Sequence, residues 1–383
     1  MSWINLLYKV KTEEGPNPAT AVTARLHVNY WKLPNASGGS FGGLKLWKKR
    51  NYARNLDIGI FLQDVNDSLE ELIVCLPFKF GKERVQDLSN HLTDETFLSF
   101  LLNHRYRVQS LTDCPTYKYA NAIGEESETY NFCLYELCKK SIETESLTQG
   151  TMLHIKFLSH PKNLNEIREK ATPDSADENN YNIYIRFRIE GLQDNDFCYN
   201  EDISNDFLQS AFSKTEMAEV KFNEKRTIDH SDYQTITKSH SFLNLATVNF
   251  FFTGSSEDEN VTGAKSFDDC ELLDEVLWKN YIGGMNPMKK KCISYHWKIS
   301  GAQKIFFKTV YSSRDKVKML KYALVVIFLS FIASALLEGV KCVGGMAFNH
   351  SCNADTITVL KINAAQSTKS DSIIATKDSL RSK

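Results

Sequence analysis

The stretch Gly38-Gly39-Ser40-Phe41-Gly42-Gly43, followed by Lys45, Lys48, Lys49 and Arg50, has the composition of a phosphate-binding loop. Consecutive glycines let backbone N–H groups converge on an anion, and lysines add charge. A Walker loop needs Gly-x4-Gly-Lys-Ser/Thr, whereas Gly43 is followed by Leu44 and Lys45. The stretch also lies between strand-like segments, so it reads as a hairpin loop. Cys133-x4-Cys138, with Cys114 and His104, offers zinc-type ligands but only one loose pair, where zinc sites show two tight ones. Cys133 and Cys138 sit in an apolar run, where free cysteine behaves as a small hydrophobe. His154 and His160 flank a strand end without a third ligand. Pro173-Asp174 with Glu219-Val220-Lys221 spells a metal-dependent nuclease, two acids for the ion and a lysine for the attacking water. The acids are far apart in sequence and Asp174 falls in a polar loop, so the trio reads as coincidence. His230-Ser231-Asp232 reads as a turn, and there is no Gly-x-Ser-x-Gly elbow. The sequence therefore assigns no catalytic, cofactor-binding or metal-binding residue.

The elements around these residues are mostly strand-like. Runs over 21–31, 56–62, 71–78, 130–138, 152–158, 181–189, 218–228, 245–253, 292–299 and 304–311 are rich in β-formers. Tyr-Asn-Ile-Tyr-Ile-Arg-Phe-Arg-Ile at 181–189 alternates with period two, the pattern of a sheet with one wet face. Helices are expected over 94–104, after a Thr/Asp cap signal, over 201–214, and over 268–281, ahead of Gly283-Gly284. Strands without regular βα alternation imply an α+β or mainly-β architecture. Two β-rich regions, 1–175 and 176–311, meet at a soft boundary in a polar stretch and are compatible with one domain. The net charge of −1 provides no global field toward nucleic acid or anionic lipid.

The run from Tyr322 through Phe328 to Val340 is apolar around its circumference, and its only charge is Glu338 near the end. It reaches the ~20 residues of a spanning helix. Ahead of it lies a basic juxtamembrane segment, 312–321, with Arg314, Lys316, Lys318 and Lys321. By the positive-inside rule this predicts a single-pass transmembrane helix over 322–340. The N-terminal region would then be cytoplasmic at the cell inner membrane, with a short, poorly ordered external tail over 341–383. The first nine residues hold no basic leader and no cleavage site. An odd number of cysteines before the span predicts free thiols there. Ser330, Ala333, Ser334 and Ala335 are small residues of the kind that let helices self-associate in lipid.

In this layout, a large domain, the basic stretch from Arg314 to Lys321 and the run from Tyr322 to Val340, the chain resembles the single-pass effectors of bacterial antiphage systems. In particular it resembles the transmembrane protein that accompanies a retron reverse transcriptase and its non-coding RNA. The resemblance implies a membrane-acting effector or sensor of abortive infection, an antiviral defence. Membrane lipid and a cytoplasmic ribonucleoprotein complex would be its partners, the complex keeping it silent until released. A membrane-tethered nuclease and a passive scaffold anchor are the alternatives.

Overall fold

The computed structural model describes residues 2–11, 22–34, 52–66, 68–102, 106–110, 116–119, 132–157, 181–201, 213–262, 267–282, 291–300, 304–312 and 316–347. The chain divides into two units, Met1–Met319 and Leu320–Lys383.

In chain order the strands of the first unit are β1 (Ser2–Val10), β2 (Thr23–Pro34), β3 (Tyr52–Val65), β4 (Leu69–Leu76), β5 (Val85–Asp87), β6 (Tyr106–Ser110), β7 (Thr116–Tyr119), β8 (Phe132–Tyr135), β9 (Ile142–Leu147), β10 (Gly150–Lys156), β11 (Tyr181–Ile189), β12 (Tyr199–Glu201), β13 (Ser213–Phe222), β14 (Ser241–Phe242), β15 (Asn244–Ser255), β16 (Glu259–Thr262), β17 (Asp269–Leu272), β18 (Cys292–Ser300) and β19 (Lys304–Ser312). Among the described residues the short α-helices of this unit are α1 (Glu95–Leu102), α2 (His230–Ile236) and α3 (Glu275–Ile282). The strands form two mixed sheets. The first has the order β16-β19-β13-β1-β4-β10-β9, with β12 on β13 and β14 on β1. The second runs β17-β18-β15-β2-β3-β11-β8-β7-β6, with β5 on β11.

Period-two alternation explains how the sheets meet. Ile4 and Leu6 of β1, Val74 of β4 and Val220 of β13 come from the first sheet. Leu26 and Val28 of β2, Ile58 and Ile60 of β3, Ile183, Ile185 and Phe187 of β11, and Phe250 and Phe252 of β15 come from the second. All are buried in one apolar cluster, the inner layer of a sandwich. The other face of the second sheet packs a second cluster under α1 and α3: Trp31, Phe61, Phe97, Leu98, Trp278, Tyr281 and Tyr184. The outer face of the first sheet carries a smaller cluster, in which Ile236 of α2 meets Trp3, Leu7 and Ile73. Each sheet contains strands from both sides of residue 175. The parallel pairs β1·β13 and β2·β15 join the N-terminal and later segments directly.

Several expectations are corrected. Strand 181–189 forms as read, but its supposedly wet face is buried: Tyr184, Arg186 and Arg188 are all within 3% of full burial. The helix expected over 268–281 begins as a strand. Asp269–Leu272 pairs with β18, and α3 begins only at Glu275, where Asp274 Oδ1 accepts a hydrogen bond from the Val276 N–H at 2.7 Å. His230 opens α2 rather than a turn, because Asp229 caps it through the Ser231 N–H. Most of 201–214 lies outside the described residues, and its end belongs to β13. Cys133 is disulfide-bonded, against the free-thiol expectation, while Cys75, Cys138, Cys198, Cys270 and Cys292 are free.

The transmembrane expectation is also corrected. A helix, α4 (Lys316–Ala347), covers the predicted span, and its side chains are described from Leu320 to Leu336. No helix among the described residues is long and apolar enough to cross a membrane. The membrane-spanning fold description and the single-pass, inner-membrane placement with a cytoplasmic N-terminus fall with it, since the positive-inside rule orients only a span. What the structure displays is two large mixed β-sheets with few helices. Within α4 Tyr322 is half-buried and Phe328 is exposed, and the Val340 side chain lies outside the described residues. Arg314 lies outside them too. Lys316 and Lys318 are described only as helix backbone, and Lys321 is exposed.

Candidate functional site

The register of the second sheet lays three rows of side chains across its outer face. One row runs Asp269, His296, Phe251, Asn29, Asp57 and Arg188. The next runs Lys298, Asn249, His27, Gly59 and Arg186, and the third Thr247, Arg25, Phe61, Tyr184 and Leu134. Helices α1 and α3 roof part of this face. α1 is started by Asp94, whose Oδ1 accepts from the N–H groups of Thr96 at 2.8 Å and Phe97 at 3.1 Å. Phe97 meets Trp278 and Tyr281 of α3 at ring separations of 5.2 and 4.9 Å, locking the two helices together.

Beneath that roof lies a dry polar layer. Arg188 grips Asp57 with two bonds of 2.6 and 2.9 Å, and Trp31 Nε1 and the Tyr281 hydroxyl each donate to the same carboxylate at 2.7 Å. Arg186 donates to the Tyr281 hydroxyl at 2.7 Å, to the Tyr184 hydroxyl at 3.0 Å and to Asn29 Oδ1 at 2.8 Å. Burial alone would push the Arg188 guanidinium down, but Asp57 outweighs it and the group is raised. Gly59 makes this layer possible. A Cβ there would come within 2.3 Å of the Tyr184 hydroxyl oxygen and 2.8 Å of an Arg186 nitrogen.

Beyond the edge of the roof the face opens into a groove of two adjoining compartments that share Leu101, Phe251 and His296. Their volumes are about 140 and 120 Å³. Each approaches the ~150 Å³ of a cavity that accepts a benzene ring. The first is lined by Arg25, His27, Asn249 and Lys298, the second by Asn29, Asp269, Glu271 and Ser294. Between them Phe251 and His296 stack face to face, 4.3 Å apart with planes 6° from parallel. His296 Nε2 lies 3.1 Å from Asn249 Oδ1, and burial lowers the imidazole's affinity for a second proton. Burial, reinforced by Asp269, raises the Glu271 carboxyl. One compartment is thus cationic, the other acidic, with an aromatic wall between.

Two further polar clusters lie elsewhere in the first unit. At the sandwich interior Glu216 of β13 meets Lys32 Nζ at 2.7 Å, Arg54 Nε at 3.4 Å and the Tyr30 hydroxyl at 3.0 Å, tying the two sheets together. On the first sheet Glu71 accepts from His154 Nδ1 at 2.9 Å and His240 Nε2 at 3.1 Å. Burial resists ionisation of Glu71, but the two histidines outweigh it and hold the carboxyl down at about 2.

The residues singled out from sequence do not converge on the groove. Glu219 is ion-paired with Lys304 at 2.8 Å on β13, Lys221 follows two residues on, and Asp174 lies outside the described residues. The glycine-rich loop 38–43, Lys45, Lys48, Lys49, Arg50, His104, Cys114 and His160 lie outside them as well. Cys138 is described and free. Among the described residues no group of three or more His, Cys, Asp or Glu has metal-site geometry. Sequence reading passed over Arg25, His27, Phe251, His296 and Lys298. The available signal was that polar residues alternate with core residues in Arg25-Leu26-His27-Val28-Asn29 and His296-Trp297-Lys298. No protein-family model matches the chain, and no curated protein matches it in sequence.

Proposed function

We propose that the chain is a ligand-binding module whose groove takes a nucleotide-like molecule: a planar ring with an anionic end and a hydrogen-bond-donating edge. The stacked Phe251–His296 pair, placed between a compartment with Arg25 and Lys298 and one with Asp269 and Glu271, carries this reading. Aromatic side chains on a sheet face, flanked by cations, suit bases because every base has a π-face and a phosphate nearby. Carboxylates suit the exocyclic amino groups of bases, which donate. The antiviral setting implied by the layout likeness rests on chain order alone and adds no residue to this site.

Calorimetric titration of the chain with adenosine monophosphate, adenosine and inorganic phosphate tests the reading. Saturable binding of the nucleotide is expected. Phe251→Ala should weaken it by about tenfold or more, the scale of ~1–3 kcal/mol per stacked base, and Lys298→Ala should weaken the nucleotide more than the nucleoside. Absence of saturable binding, or affinities indifferent to both substitutions, would overturn it.

A further inference from the structure

Arg186 and Tyr184 are fully buried, and their hydrogen bonds leave one consistent pattern of donors. A guanidinium has donors only, so in the 3.0 Å contact between Arg186 Nη1 and the Tyr184 hydroxyl the tyrosine oxygen accepts. The single hydroxyl hydrogen, which burial requires to be satisfied, then has His27 Nδ1, at 3.3 Å, as its acceptor. Burial raises the Tyr184 hydroxyl, so that hydrogen stays in place across the neutral range. An imidazole nitrogen that accepts carries no hydrogen of its own, and in a neutral ring the other nitrogen must. From this polarity, passed outward from Arg186, we propose that Tyr184 is a positioning residue that fixes His27 as its Nε2–H tautomer, making His27 a donor in the cationic compartment of the groove.

The consequence is selectivity. With Arg25 and Lys298, which are also donors only, His27 completes a lining suited to a ligand group that only accepts, such as a phosphate or carboxylate. Gly59 belongs to the same device, because a Cβ there would collide with the Tyr184 hydroxyl that reaches His27 and with the Arg186 nitrogen that donates to it. The identity of the ligand rests on the nucleotide-like reading above; the tautomer does not.

The decisive measurement is the pair of nitrogen-15 chemical shifts of His27 in the unliganded chain, in alkaline buffer where an exposed imidazole is neutral. A pyridine-type Nδ1 and a pyrrole-type Nε2 are expected. In Tyr184→Phe, which keeps the ring and removes the hydroxyl, the two shifts should converge toward a tautomer mixture. The same variant should bind adenosine monophosphate about tenfold more weakly, the scale of one charge-assisted hydrogen bond, with adenosine affinity unchanged. A pyrrole-type Nδ1 in the wild-type chain, or an unaltered pattern in folded Tyr184→Phe, would overturn the assignment. The wild-type spectrum decides it even if the variant fails to fold. If the nucleotide does not bind while the expected shifts appear, the binding reading fails and the donor assignment stands.

Discussion

Glu216 shows what a single buried charge does in this sandwich. Its carboxylate is fully buried, yet it faces Lys32, Arg54 and the Tyr30 hydroxyl. Burial alone would raise it, and the two cations together lower it. Its folded-state affinity for a proton is therefore below that of the unfolded chain. It adds stability above the unfolded carboxyl pKa of ~4.3, and that contribution fades as pH falls below it. Replacing the group leaves Lys32 and Arg54 buried with less to balance them. Glu216→Ala should cost ~3–5 kcal/mol, the cost of breaking a buried pair from one side. Urea denaturation at neutral pH checks the magnitude. The same measurement in acid should show a smaller difference between variant and wild type, and an undiminished gap would contradict the sign.

At the scale of elements, the two short roof helices depend on their first turns and on one another. α1 and α3 each run eight residues, too short to persist alone in water. Asp94 satisfies two amides at the start of α1, and Phe97 packs that same turn against Trp278 and Tyr281. Asp94→Ala should lower stability by ~0.5–2 kcal/mol. Because α1 supplies Leu101 to both groove compartments, hydrogen exchange of the Leu98 to Leu102 amides should speed up more than that of β2 or β3. Uniform acceleration across the sheets would mean that the helix and the sandwich open as one unit. The Asp94 cap was legible in sequence, as a short polar residue ahead of an apolar run. The strand in front of α3 was not, because Asp-Cys-Glu-Leu at 269–272 has no β signal of its own and is made a strand by pairing with β18.

For the molecule as a whole, the two parallel pairings set the folding problem. β1 joins β13 and β2 joins β15, each across some two hundred residues of chain, so neither sheet closes until distant segments meet. Long-range pairing of this kind slows folding because loop-closure entropy must be met before contacts reward it. Refolding from denaturant, followed by tryptophan fluorescence, should proceed on the order of milliseconds to seconds or slower. Deleting 292–312 removes β18 and β19 and exposes Phe250, Phe252 and Val220 to water, so the shortened chain should lose cooperative unfolding. A sharp transition retained after that deletion would show that the remaining strands form a core without them.

The sequence by itself determined where most strands of the first unit run, because alternation within a strand is a local property. Ile183, Ile185, Phe187 and Ile189 could face only a core. It could not say what covered the opposite face. Arg186 and Arg188 carry the residue types of a wet surface, and only the packing of α3 and Tyr281 over Asp57 made that surface a dry layer. The groove has the same origin: Arg25 and His27 come from β2, Asn249 and Phe251 from β15, and His296 and Lys298 from β18, so no stretch of chain holds enough of it to form a motif. Local periodicity tells a strand that its two faces differ, whereas the neighbours of each face are decided by pairings between segments far apart in the chain.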